Sequence, residues 1–343
     1  LLGLESEKKR KEIFENHGRF ALGVLGALLL FPAILMVNLP VDFSLGVRYQ
    51  FLPVFIFSFV VFYFSRKASG RLPEVLILGL SLSVYAVILS GFWRGGVSEL
   101  NNIGGLLPFG DANQYFGSAF RLIHGGLFGS TNGRPLFPGY LAAILRLTSG
   151  NLQVSVGVMV FVNAVACFFA AREVRRSHGW LAGMLVFLLL FQFFRRFSGT
   201  TLTESLGFPM GAIGFAMVWN SVRENRFAVF ASGLFCLTLA LNARAGAFFV
   251  LPALVMWGMY RFGKMPSLTR FKALSAGIAA VAIGFACNFV LVKMLVPKSE
   301  PAFSNFSYTL YGMLNDGNWT KVYKDHPEIR KLNNVDRNRE VYR

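Results

Sequence analysis

Along this chain, stretches with almost no charge alternate with short joints carrying Arg, Lys, Gly or Pro. Crossing a hydrocarbon core takes about 20 residues of apolar helix. On that measure the stretches predict nine transmembrane helices, at 18–37, 50–65, 72–93, 152–171, 179–194, 204–221, 227–242, 246–260 and 273–296. Between the third and fourth lies a region of different texture. If 111–124 is helical, Ala112, Phe116, Ala119, Phe120 and Ile123 share one face. Gln114, Ser118 and Arg121 lie opposite, with Asp111 at the edge and Tyr115 flanking. Such a helix is expected on the membrane surface, its apolar face in lipid and its polar stripe turned to an outer cavity. The segment RPLFPGYLAAILRL at 134–147 is too short to span comfortably and is expected to lie on the surface as well.

The expected fold class is therefore an all-α polytopic membrane protein. It divides into an N-terminal segment with three spans (1–93), a loop with surface helices (94–151), a six-helix bundle (152–296) and a polar, aromatic-containing tail (297–343). Composition agrees, with 54% hydrophobic and 15% charged residues. The net charge of +17 does not signal nucleic acid, because the basic residues sit at the ends of apolar spans and form no single patch.

Those positions set the orientation instead. On one side fall 17 Lys and Arg, from Lys8–Lys11 and Arg19 through Arg66, Arg71, Arg172, Arg175, Arg176 and Arg223 to Lys272. The other side, before the tail, holds 10, including Arg48, Arg94, Arg134, Arg195, Arg196, Arg244 and Lys298, over longer loops. The positive-inside rule puts the N-terminus in the cytoplasm and Asp111 outside. A crossing at 134–147 would invert every later loop. Cys167, Cys236 and Cys287 lie in apolar runs without metal-like spacing and read as packing residues. The mixed stretch ESEKKRKEIFENHGR before the first span does not read as a cleaved signal.

Four acids are expected outside the membrane before the tail: Asp42, Glu99, Asp111 and Glu204. Asp42 and Glu99 stand in ordinary loop contexts and are expected to be solvated. Asp111 follows Gly110 at a helix start, where it either caps the helix or faces the cavity. Glu204 stands in RRFSGTTLTESLGF at the start of a span, where Thr201 or Thr203 is a candidate cap. Arg244, at a turn between two spans, either snorkels to headgroups or serves the same cavity.

GDANQYFGSAFRLIHGG followed by GRPLFPGYLAAILRLTSGN resembles the first external loop of the GT-C membrane glycosyltransferases, among them protein O-mannosyltransferases and lipid A aminoarabinose transferases. The family pattern is an Asp with a Tyr four residues on, then an Arg/Lys-Pro-Pro-Leu-like segment, matched here by Asp111, Tyr115 and Arg134-Pro135-Leu136. TTLTESLG resembles the family's Thr-Glu element and marks Glu204. The likeness covers roughly 95–260. It departs in placing the Asp after a third span instead of the first, and in having Asp111-Ala112 where many relatives carry two acids.

The resemblance implies transfer of a sugar from a polyprenyl-phosphate donor to a lipid, glycan or protein acceptor at the outer face of a membrane such as the bacterial inner membrane. Asp111 is then the candidate base. Arg121, Arg134, Arg195, Arg196 and Arg244 are candidates for the donor phosphate, which a guanidinium pairs through two oxygens. Tyr115 and His124 would orient sugar or phosphate, or else anchor at the interface. Glu204 would assist Asp111, pair with Arg195 or Arg196, or join Asp111 on a divalent cation. No other cofactor is implied. A transporter or flippase remains open, although ionisable groups near mid-bilayer, which transport sites use, are scarce here. So does a lipid-linked glycan polymerase or ligase, whose catalytic residues usually lie in a late external loop.

Overall fold

The computed structural model describes residues 2–68, 70–128, 134–244, 246–265, 268–296 and 304–341. Apart from two tiny hairpins, β1–β2 (Asn102–Ile103 with Leu107–Pro108) and β3–β4 (Lys264–Met265 with Leu268–Thr269), it is helical. The helices that build the bundle are α1 (Leu2–Met36), α2 (Val41–Tyr49), α3 (Leu52–Ser65), α4 (Leu72–Arg94), α7 (Leu152–Phe194), α8 (Glu204–Glu224), α9 (Phe227–Ala243), α10 (Val250–Phe262) and α11 (Arg270–Leu295). Two short helices, α5 (Asp111–Ile123) and α6 (Leu136–Leu147), lie between α4 and α7. Beyond α11, α12 (Ser304–Leu314), α13 (Lys321–Asp325) and α14 (Asn334–Val341) gather with Pro327–Lys331 around a small core of Tyr308, Val322 and Ile329.

Among the described residues, four helical stretches are long and apolar enough to cross a membrane: Gly18–Met36 within α1, α4, α7 and α11. The expected span at 50–65 is shorter than expected. Pro53 opens α3 at its first turn, and α2 precedes it at an angle of 83°, so only the bent pair reaches spanning length. The expected spans at 227–242 and 246–260 correspond to α9 and α10, of 17 and 13 residues, while α8 is diluted by glycines, Pro209 and Asn220 and falls short on apolarity.

The α7 helix is two helices. At Gly179 the backbone turns to φ 85°, ψ 177°, a conformation open to glycine, and the chain doubles back. Cys167 Sγ consequently lies 3.9 Å from the carbonyl oxygen of Phe187, though a straight helix would part them by about 30 Å. This hairpin matches the expected pair at 152–171 and 179–194.

Helices α4 and α7 form the centre, with Tyr85 and Phe92 fully buried and Tyr85 edge-on to Phe191. In α1 and α11 most of the apolar surface is uncovered: Leu22, Leu29, Phe271 and Met294 are all more than half exposed. An apolar exterior on this scale is a surface for lipid or partners. Helices α8 and α9 cross where Gly214 faces Gly233; a Cβ on either would lie 3.0 Å from the other's carbonyl oxygen. Small residues admit that approach. Of the cysteines, Cys167 is buried as expected of a packing residue, whereas Cys287 is exposed. Lys298, among the outward charges above, lies outside the described residues.

Polar groups concentrate at the two ends of this bundle. Glu74 at the start of α4 meets Arg172 and Arg176, and Glu173 meets Arg223. At the other end of α4, roughly 27 Å away by helical rise, Phe92 lies beneath Arg48 and Gly199.

Candidate functional site

The second end holds the candidate site, and its frame is polar. Arg48, with no exposed side-chain surface, stacks at 3.8 Å on Phe92. Its Nε and Nη2 donate to the two carboxylate oxygens of Glu99 at 3.2 and 3.1 Å, and its Nη1 and Nη2 donate to the carbonyls of Ser198 and Arg196 at 2.8 and 3.1 Å. Tyr49 adds a hydroxyl donor to Glu99 at 2.5 Å. The expectation that Glu99 is solvated is corrected: it is the anion that makes burial of Arg48 tolerable. Arg195 belongs to the same frame. Its Nη1 donates to the carbonyl of Gln50 at 2.9 Å, and burial, with Arg196 and Arg48 nearby, lowers its pKa.

This frame places α5. After the Glu99–Asn102 bridge, the β1–β2 hairpin turns back so tightly that a Cβ on Gly105, at φ 78°, would fall 2.1 Å from the carbonyl oxygen of Phe92. Asn102 donates to the carbonyl of Gly199 at 3.3 Å, and Thr201 Oγ1 donates to that of Ala112 at 3.0 Å. Loop 95–110 and loop 195–203 are thereby tied together under the first turn of α5.

Gly110, at φ 55°, is the residue before α5, so Asp111 is its first helical residue and its carboxylate makes no cap bond. That carboxylate is exposed and makes no hydrogen bond or ion pair among the described residues. One face of α5 is turned into the protein. Ala112 and Ala119 are fully buried, and Phe116 and Ile123 pack against the core, while Phe120 is exposed. This corrects the expectation that the face lies in lipid. Ser118, expected on the outward polar stripe, is fully buried. The physical reason is size, since Ala112 lets the first turn settle on the loop that carries Thr201 while the rest of the helix packs beside α6.

Tyr115 stands edge-on to Phe137 of α6, 5.7 Å between ring centres, and packs on the core. Its hydroxyl ionises with more difficulty than an ordinary tyrosine, first because it is buried. The carboxylates of Asp111 and Glu204 push in the same direction, and the guanidiniums of Arg134 and Arg244 oppose them. Four of the sequence-expected residues are thus within electrostatic reach of the phenol of a fifth. Arg134 is itself largely enclosed: burial and the like charge of Arg244 lower its pKa, and its Nε is a buried donor without a hydrogen-bond partner among the described residues.

Glu204 is buried at the start of α8. Its Oε1 lies 3.0 Å from Arg244 Nη1, and Thr203 Oγ1 donates to its Oε2 at 3.2 Å. Thr203 precedes α8 without making a cap bond, so its hydroxyl serves Glu204 and Arg244 instead. The partner of Glu204 is Arg244, not Arg195 or Arg196 as considered from sequence. From this pair a cavity of about 330 Å³ leads along Gly207, Gly211, Leu237, Leu241 and Val250. It is apolar except at the Glu204–Arg244 end.

The remaining expected residues lie elsewhere. Arg121 and His124 stand three turns along α5 from Asp111, about 15–20 Å by helical rise. His124 stacks on Phe120 at 4.3 Å with its Nδ1 2.8 Å from the Phe120 carbonyl oxygen. Arg196 is exposed beside Arg195 and lends its carbonyl to Arg48. Among the described residues no three His, Cys, Asp or Glu side chains come together. The Arg48–Glu99 clamp was missed from sequence. Tyr49 and Ser198 showed no local sign of joining it across such separations.

The chain matches no protein-family model, and no curated protein or solved structure is significantly similar to it.

Proposed function

We propose that this protein is a multi-pass membrane glycosyltransferase of the GT-C type, transferring a sugar from a polyprenyl-phosphate donor to an acceptor hydroxyl. The single observation that carries the reading is the gathering of Asp111, Arg134, Glu204 and Arg244 around Tyr115, beside an apolar cavity that begins at Arg244. One free carboxylate, two guanidiniums and a greasy channel are what such a reaction asks of a protein.

In this proposal the chain crosses the membrane nine times with its N-terminus in the cytoplasm, and α5 and α6 lie at the outer face. The prenyl chain enters along Gly207, Gly211, Leu237 and Leu241. Arg244 and Arg134 take the phosphate, the latter through its buried Nε, which has no hydrogen-bond partner among the described residues. Asp111 accepts the proton of the acceptor hydroxyl as that oxygen bonds to the anomeric carbon. The bond from that carbon to the phosphate oxygen breaks on the opposite face, its electron pair leaves with the phosphate, and the anomeric configuration inverts. Glu204 holds Arg244 in place, and Tyr115 remains protonated as a donor to sugar or phosphate. Arg121, His124, Arg195 and Arg196 have no role in the step. Asp111 and Glu204 are the residues to which a divalent cation would bind, and its chemistry would be neutralisation of phosphate charge.

Reconstitution in liposomes with a panel of polyprenyl-phosphate hexoses and pentoses tests this. Protein-dependent release of polyprenyl phosphate together with glycosylated acceptor is expected. Donors that cross the bilayer unchanged, with no release from any member of the panel, would identify a flippase and overturn the proposal.

A further inference from the structure

The opposite end of the bundle carries a second groove that the transferase reading does not use. It lies between α1, α4 and α7, has a volume of about 310 Å³, and is walled by Phe20, Val24, Leu28, Val165, Phe168 and Phe169. On α1 the wall residues recur every fourth position, a run of about 12 Å by helical rise. Leu22, Leu25 and Leu29 continue the apolar surface beside it.

The mouth of this groove is charged. Glu74 and Arg172 line it and pair at 3.1 Å. Behind them Glu173, almost fully buried, receives Arg172, Arg176, Arg223 and the amide of Asn220. Arg175 donates to the carbonyl of Ser65 at 3.0 Å. Arg71 stacks over Phe20, 4.9 Å from its ring, on the lip of the groove. Among the described residues the cluster holds five guanidiniums, Arg71, Arg172, Arg175, Arg176 and Arg223, against the carboxylates Glu74, Glu173 and Glu224. Arg71 is exposed and has no carboxylate partner among them.

We infer that this groove is a binding site for an anionic glycerophospholipid, one acyl chain lying along Phe20, Val24 and Leu28 and the phosphate held by Arg71 with Arg172. Two complementarities select that occupant. The wall offers no hydrogen-bond partner along that run of about 12 Å, which suits the upper part of an acyl chain and excludes a polar solute there. The mouth has surplus positive charge at the depth where a headgroup phosphate would sit, which favours an anionic lipid over a zwitterionic one. Arg71 also suits the position, because its guanidinium sits over the Phe20 ring while the residue stays exposed. The inference requires only that the helices lie in a bilayer, and it does not depend on the transferase proposal.

The test uses the full chain in detergent, with lipid retention read by native mass spectrometry and stability by thermal unfolding. Phosphatidylglycerol and phosphatidylcholine of identical acyl chains are compared, with glycerol phosphate as the chainless control. Phosphatidylglycerol is expected to be retained and to raise Tm, and the other two not. Arg71→Gln, a surface change outside the ion-pair network, should weaken phosphatidylglycerol binding about fivefold. Val24→Phe and, separately, Val165→Phe should abolish its retention by filling the groove. Equal retention of both lipids, full retention by Arg71→Gln or by a folded groove-filling variant, or equal stabilisation by glycerol phosphate would each overturn the inference. The readouts record lipid binding, so their failure leaves the transferase proposal standing.

Discussion

Arg244, at the C-terminal end of α9, reaches the buried carboxylate of Glu204 at the start of α8, 3.0 Å away and 40 positions back along the chain. The pair is asymmetric, since Glu204 is enclosed and the Arg244 side chain is about half exposed at 53%. Replacing Arg244 with Gln strands the carboxylate. A loss of about 1–2 kcal/mol is expected, less than for a fully buried pair because water still reaches the site. Glu204→Gln combined with Arg244→Gln should recover part of that loss, and a double-mutant cycle in chemical denaturation measures it. Additive losses would show that the two charges are not coupled.

The Arg48–Glu99 clamp predicts a larger effect. Glu99→Ala leaves a fully enclosed guanidinium with only carbonyl partners and frees the loops that hold Asn102 and Ser198. A cost of about 3 kcal/mol is expected. Asp42→Ala, at an acid with no such partner, should cost under about 0.5 kcal/mol. Comparison of their thermal unfolding checks both.

Tyr115 sets a pH dependence. Burial, reinforced by Asp111 and Glu204, raises its pKa above the ordinary value near 10, so the folded protein keeps the phenolic proton where the unfolded chain releases it. Stability tied to this group is fully present below pH 10 and is lost as pH rises through the folded value. Tyr115→Phe should therefore lose less Tm than the wild type between pH 9 and 11. Parallel curves would contradict the placement of Tyr115.

Much of the architecture was legible because it rests on local pattern. The apolar runs at 72–93 and 273–296 became α4 and α11, the charged interval before Gly179 marked the hairpin in α7, and the 3.6-residue period gave α5. What stayed hidden rests on distance along the chain. Nothing near Arg48 announces Glu99, 51 positions on, or the Ser198 carbonyl, 150 positions on. Helical period also ranks faces by apolarity and not by what covers them. Hence Ala112 and Ala119 were expected in lipid but lie against protein, and Ser118 was drawn in with them. Of the candidate site, Asp111, Tyr115, Arg134, Glu204 and Arg244 were named from sequence. Which arginines join them was not, because Arg195 and Arg244 look alike until the fold sends one to Gln50 and the other to Glu204.

The most direct measurement is transfer by Asp111→Asn, which keeps the size of the side chain and its hydrogen bonding while removing the base. With a polyprenyl-phosphate sugar that the wild type turns over, kcat should fall at least about 100-fold while donor binding is unchanged. Turnover equal to the wild type, or loss of donor binding itself, would contradict the assignment of Asp111 as the base.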